Sequence, residues 1–234
     1  MSDDRYPKWD YKEYPKSLPE DDLWGQVRRT AYGRPVPDQQ IQMIVDAIVS
    51  ALTPGPADYL LDIGCGNGAL AARMFDTCDR WLGVDSSEYL ISVARRHFSA
   101  PTRTFICQDA VAYARSESEP ARFNKALCYG VFAYFCDNDA VDLLTLLHER
   151  FVNLKVIFIG SLPDPERAPQ FYDEMALANA DLRNPRTQIG VWRSRQQIEE
   201  MAIRSGWQVR FQALPMDFYQ AHYRFNAILD RTFE

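Results

Sequence analysis

Residues 59–71, YLLDIGCGNGALA, constrain this chain more than any other stretch. An apolar run of strand length stops at Asp62, enters Gly64, Gly66 and Gly68, and continues into a helix-forming run. A buried strand, a glycine loop and a helix in succession place a ligand at the carboxyl edge of a parallel sheet, near the helix N-terminus. Glycine serves both the tight turn and the close approach of a ligand to backbone. The dinucleotide fingerprint is G-x-G-x-x-G; here the spacing is G-x-G-x-G, with an acid two positions before the first glycine. A carboxylate there repels a pyrophosphate and suits an ammonium group.

The rest of the chain repeats the strand–helix rhythm. Strands are expected at 59–63, 81–85, 103–109, 125–131 and 154–160, with amphipathic helices such as SEYLISVARRHF and DAVDLLTLLHERF between them. Apolar strands alternating with such helices imply a parallel sheet covered on both faces. The ending differs: WQVRFQAL and YRFNAILDRTF are joined by a short loop, so the last two strands should be antiparallel neighbours. Before the sheet, Pro37 and Asp38 open a helix whose Ile41, Ile44, Val45, Ile48 and Leu52 share one face.

A chain of 234 residues suits one sizeable α/β domain. The net charge of −6 disfavours a nucleic-acid partner. No apolar run approaches bilayer length, and the start MSDDRYPKWDYKEY does not read as a secretory signal. Five cysteines without a C-x-x-C pair read as buried thiols in a reducing cytoplasm, and no metal site is expected.

The motifs DIGCGNG, GVDSS and CQDA, in that order at three successive strand ends, resemble the class I S-adenosylmethionine-dependent methyltransferases over about residues 40–234. The resemblance implies an α/β, Rossmann-like seven-stranded sheet of order 3-2-1-4-5-7-6, with strand 7 antiparallel and helices on both faces. It also implies S-adenosylmethionine as cofactor. Asp62, Gly64, Cys65, Gly66, Asn67 and Gly68 would cradle its methionine part, with Asp62 near the amino group. Asp85 and Ser86 would serve the ribose, and Asp109 and Ala110 the adenine. Read singly, Asp85 before two serines is equally a helix cap, and Asp109-Ala110 a strand-ending turn.

Catalysis leaves a fainter trace. Methyl transfer needs a dedicated base only where the acceptor keeps its proton. The fourth strand ends CYGVFAYF and lacks the N-P-P-Y-like motif of related enzymes acting on nucleobase or glutamine amino groups. Tyr129, Phe132 and Tyr134 are candidates to wall the methyl-transfer channel, or plain aromatic core. Of three histidines, His222 lies in the loop between the last two strands, on the side where the glycine loop emerges, and is the candidate general base.

Residues 1–38 are aromatic, proline-punctuated and charged, and are expected to cap the domain 39–234 as a lid. Trp24, Arg28, Arg29 and Tyr32 within it suit an anionic acceptor. A second cover is expected at about 164–193, with Tyr172, Arg186 and Trp192 as candidates. The resulting expectation is a cytoplasmic O-methyltransferase of a small anionic or sugar-like metabolite, with no membrane partner and a homodimer as one possible assembly. N-methylation of a small amine and an inactive cofactor-binding subunit are the alternatives.

Overall fold

The computed structural model describes residues 11–31 and 34–232. Its centre is a seven-stranded sheet of β1 (Tyr59–Ile63), β2 (Arg80–Asp85), β3 (Arg103–Cys107), β4 (Lys125–Tyr129), β5 (Val156–Pro163), β6 (Trp207–Gln212) and β7 (Arg224–Arg231). The strands lie in the order 3-2-1-4-5-7-6, with β7 antiparallel to both neighbours. Order and orientation match the sequence expectation. Strands 3 and 4 end two residues early, because Asp109 caps the next helix and Gly130 turns out of the strand at φ 73°. Strand 5 runs on to Pro163 through a bulge between Ile159 and Leu162, where Ser161 takes φ 66°.

The helices are α1 (Leu23–Gln26), α2 (Asp38–Leu52), α3 (Ala69–Ala72), α4 (Glu88–Phe98), α5 (Ala110–Ser116), α6 (Asp137–Glu149), α7 (Glu174–Ala178) and α8 (Arg195–Arg204). One face of the sheet is covered by α2, α3 and α4, and the other by α5, α6 and α8. Helix α2 buries the five aliphatic residues that its periodicity picks out. Each is worth roughly 1.5–3 kcal/mol of burial. Side chains of β7 alternate as a strand requires: Phe225, Ala227 and Leu229 enter one core, while Ile228 enters the other. Arg224 and Asn226 therefore share the face that α2 covers.

The described part of the N-terminal segment lies over the glycine loop, pinned by side-chain bonds. Asn67 donates to Leu23 O and Gln26 Oε1, and Ser87 Oγ donates to Tyr11 O. Residues 164–193 carry a 3-10 turn and α7, held by an aromatic cluster of Phe171, Tyr172, Trp192 and Tyr223. Among the described residues no helix is long and apolar enough to cross a membrane.

Candidate active site

The site is built where β1, β2, β3 and β4 end. Val84 O accepts the N–H groups of Gly64 (2.7 Å) and Cys65 (3.1 Å), which ties the glycine loop to the neighbouring strand. Gly64 holds φ 72°, and a Cβ on it would come within 2.5 Å of Val131 Cγ1. A Cβ on Gly66 (φ 55°) would meet Val27 of the N-terminal segment at 2.9 Å. Both glycines are thus demanded by conformation and by close approach.

Asp85 braces this loop. Its Oδ2 accepts from Gly66 N at 2.9 Å and its Oδ1 from Ser87 N at 2.8 Å. Burial raises its pKa, and the backbone N–H groups of Ser87, Gly66 and Ser86 pull the other way. Each carboxylate oxygen keeps a lone pair for a further donor. The capping role falls to Ser87, whose Oγ takes the N–H of Leu90. Asp109 does cap, accepting from Ala112 N at 2.9 Å, while remaining exposed to the cleft.

Asp62 is 4% exposed at the base of the loop. Burial pushes its carboxyl up to about 7; the Trp81 N–H opposes this, and the negative charge of Asp85 adds to it. The Trp81 indole reaches toward the carboxyl without closing a hydrogen bond of good geometry. A buried acid facing a small cavity with so little compensation is the environment a cationic ligand group would satisfy.

A cavity of about 200 Å³ runs along this edge. Of the residues named from the sequence it brings together Gly64, Gly66, Asp85, Ser86, Asp109, Ala110, Tyr129, Tyr134 and Arg29. A small adjoining cavity adds Asp62, Cys65, Asn67 and Trp24. Gly68 shapes the loop as the left-handed residue before α3. Tyr11, Val27, Leu90, Gln108, Val131 and Phe135 also line the main cavity and went unremarked in the sequence, where only Gln108, beside Asp109, carried a positional hint.

Other candidates are placed elsewhere. The arginine pair divides: Arg29 lies 4.7 Å over the Tyr129 ring, whereas Arg28 (φ 52°) stacks on Tyr14 at 3.4 Å within the N-terminal segment. Tyr172 and Trp192 belong to the separate aromatic cluster, and Arg186 is exposed. Tyr32 lies outside the described residues. His222, the expected base, is exposed and lines none of the cavities described; its ring leans on Tyr223 at 4.7 Å. Phe218 and Tyr223 take the buried positions of that loop, which leaves His222 facing outward.

Sheet order, the acid-preceded glycine loop, the acid ending β2 and the acid two residues beyond β3 give the chain the Rossmann-like fold of the class I S-adenosylmethionine-dependent methyltransferases. Residues 60–151 match a family described as a methyltransferase domain. Among curated proteins, the chain is 29% identical over 122 residues to the ribosomal RNA small subunit methyltransferase A of Pectobacterium atrosepticum, covering 47% of this chain and 45% of that protein. It is 29% identical over 82 residues to the ubiquinone biosynthesis O-methyltransferase of Idiomarina loihiensis, covering 35% of this chain and 34% of that protein. The chain thus spans less than half the length of these relatives. Among solved structures, the magnesium protoporphyrin IX methyltransferase of Synechocystis, with bound S-adenosylhomocysteine, superposes with a TM-score of 0.64 at 18% identity. That match covers 90% of this chain and 94% of the other, and it shows a shared fold.

Proposed function

We propose that the chain binds S-adenosylmethionine in the main cavity and methylates an oxygen of a small anionic acceptor. The observation that carries the cofactor assignment is the buried, under-compensated Asp62 carboxyl beneath a glycine loop that Asp85 holds in place. An ammonium group would find its counter-charge at Asp62, and ribose hydroxyls would donate to the free lone pairs of Asp85. Asp109 and Ala110, which line the same cavity, suit the adenine. When bound, S-adenosylmethionine supplies a methyl group already activated on a sulfonium.

The residues beside the methionine end then position an acceptor and exclude water. Tyr129 and Tyr134 are pushed by burial to hold their protons well above neutral pH, so neither hydroxyl serves as a base there. With His222 outside the cleft, the described residues favour an acceptor that arrives ionised, such as a carboxylate. The Arg29 guanidinium over Tyr129 supplies the matching charge. The described part of residues 1–38 acts in this reading as a lid, since Tyr11, Val27 and Arg29 wall the cavity.

A second reading, an RNA acceptor, draws on the ribosomal RNA methyltransferase among the relatives, and the net charge of −6 weighs against it. Calorimetry tests the cofactor assignment. Saturable binding of S-adenosylhomocysteine without binding of NAD is expected, and the reverse result would sink it. Salt-insensitive, negligible binding of RNA separates the two acceptor readings.

A further inference from the structure

At the carboxyl edge of the sheet, next to Tyr129, a second guanidinium is buried. Arg224 opens β7 opposite Pro163 and is 8% exposed. Its Nη1 donates to Ser161 O and to Ser161 Oγ, which props the bulge in β5. Its Nε is buried with no hydrogen-bond partner. Among the described residues, no carboxylate forms an ion pair with Arg224 or with Arg29. A buried cation without a counter-ion is costly.

The two arginines converge. Tyr129, Tyr134 and Tyr219 each lie within electrostatic reach of both guanidiniums. Tyr219 sits in the β6–β7 loop, its backbone N–H held by Gln40 of α2 at 2.9 Å. Its hydroxyl is buried and, although near Arg29, closes no hydrogen bond. The site therefore offers two unneutralised cations and an idle hydroxyl donor, with no acidic acceptor among them. Tyr129 also lines a second cavity of about 220 Å³, whose wall is largely apolar (Met43, Ile44, Leu214, Phe218) with Asp46, Gln212 and Asn226 as its polar members.

The geometry points to an oxyanion site: Arg29 and Arg224, with the Tyr219 hydroxyl, grip the carboxylate or phosphate of an acceptor whose apolar body occupies this second cavity. This assignment rests on the methyltransferase reading for the word acceptor, and on the side chains themselves for the anion. Arg224 thereby has two roles, bracing Ser161 through Nη1 and holding a buried, unpartnered Nε beside Tyr129 for the anion.

Ligand-observed NMR titration of the full chain, with and without S-adenosylhomocysteine, tests the site. Benzoate and phenyl phosphate are the anionic probes and benzamide the neutral control. Wild type should bind at least one anion saturably and ignore benzamide, and the stronger anion tells carboxylate from phosphate. Arg29→Gln and Arg224→Gln should each weaken that binding by about 10–150-fold, the range for hydrogen bonds to charged groups. Arg34→Gln, in the exposed two-residue strand Arg34–Pro35, should leave it intact. No anion binding by wild type, or undiminished binding in Arg224→Gln, overturns the proposal. If Arg224→Gln does not fold because Ser161 loses its prop, Arg29→Gln and Tyr219→Phe decide; unchanged affinity in both is then the refuting result. S-adenosylhomocysteine affinity, read on the same samples, is independent of these outcomes. Its absence would sink the methyltransferase reading alone.

Discussion

Asn67, in the glycine loop, donates its side-chain amide to the carbonyl of Leu23 at 2.8 Å. The same amide reaches Gln26 Oε1 at 3.0 Å, and Gln26 is fully buried. The loop and the segment over it are thus one hydrogen-bonded unit, although 44 residues separate the partners. Asn67→Ala leaves Gln26 Oε1 buried without that donor, at a cost of about 1–3 kcal/mol. Limited proteolysis should then cut near residues 18–30 well before the sheet, and cofactor affinity should fall. Wild-type protease resistance in the variant would show that the segment is held by other contacts.

Asp62 makes ligand binding depend on pH. Its ordinary value is 3.8, and in the fold it is pushed up to about 7. Between those values the folded protein holds a proton that the unfolded chain has lost. Raising pH through that window therefore costs the free protein stability, by an amount on the order of a few kcal/mol. A cationic ligand group favours the ionised acid, so S-adenosylhomocysteine should bind more tightly as pH rises through about 7. Below that it should expel a proton. Calorimetry in buffers of different ionisation enthalpy measures this directly. Asp62→Asn should flatten the profile; an unchanged slope would remove Asp62 from the ammonium site.

Asp85 supports two structures at once, the glycine loop through Gly66 N and the start of α4 through Ser87 N. Asp85→Ala should weaken S-adenosylhomocysteine by about 10–150-fold, as charged hydrogen bonds are lost. A 2′,3′-dideoxy analogue should bind the variant and wild type more nearly alike. If the variant folds and binds the unmodified cofactor product as tightly as wild type, the ribose lies elsewhere.

The proposed cofactor half of the site was legible because it rests on local chemistry. Asp62 is the penultimate residue of β1, Asp85 ends β2 and Asp109 follows β3 by two residues, and glycine spacing and acids near strand ends survive in one dimension. The acceptor half was not, because it is assembled across the fold. Arg224 and Tyr219 come from the last hairpin, Arg29 from the first forty residues, and only the insertion of β7 between β5 and β6 makes them neighbours. Arg28 and Arg29 read alike in sequence; the positive φ of Arg28 turns the chain so that one meets Tyr14 and the other Tyr129. His222 shows the opposite failure. Its position in the loop was foreseeable, but the aromatic residues around it compete for the inward positions and win by apolar burial.

That competition makes His222→Ala a sharp test of the acceptor's chemistry. An imidazole facing solvent, with its ring against Tyr223, has no path to a proton in the cleft. Under the ionised-acceptor reading no proton leaves during transfer, so the variant should keep its catalytic rate within about twofold and its pH profile unchanged. Loss of general base catalysis would instead cost ~10²–10⁴-fold. A fall of that size at saturating acceptor, with S-adenosylhomocysteine affinity intact, would mean that the β6–β7 loop turns His222 inward in the complex. The acceptor would then be a hydroxyl that keeps its proton until the reaction, and Arg29 would be left with binding alone. The two outcomes differ by at least an order of magnitude in rate, so one variant and one saturating assay separate them.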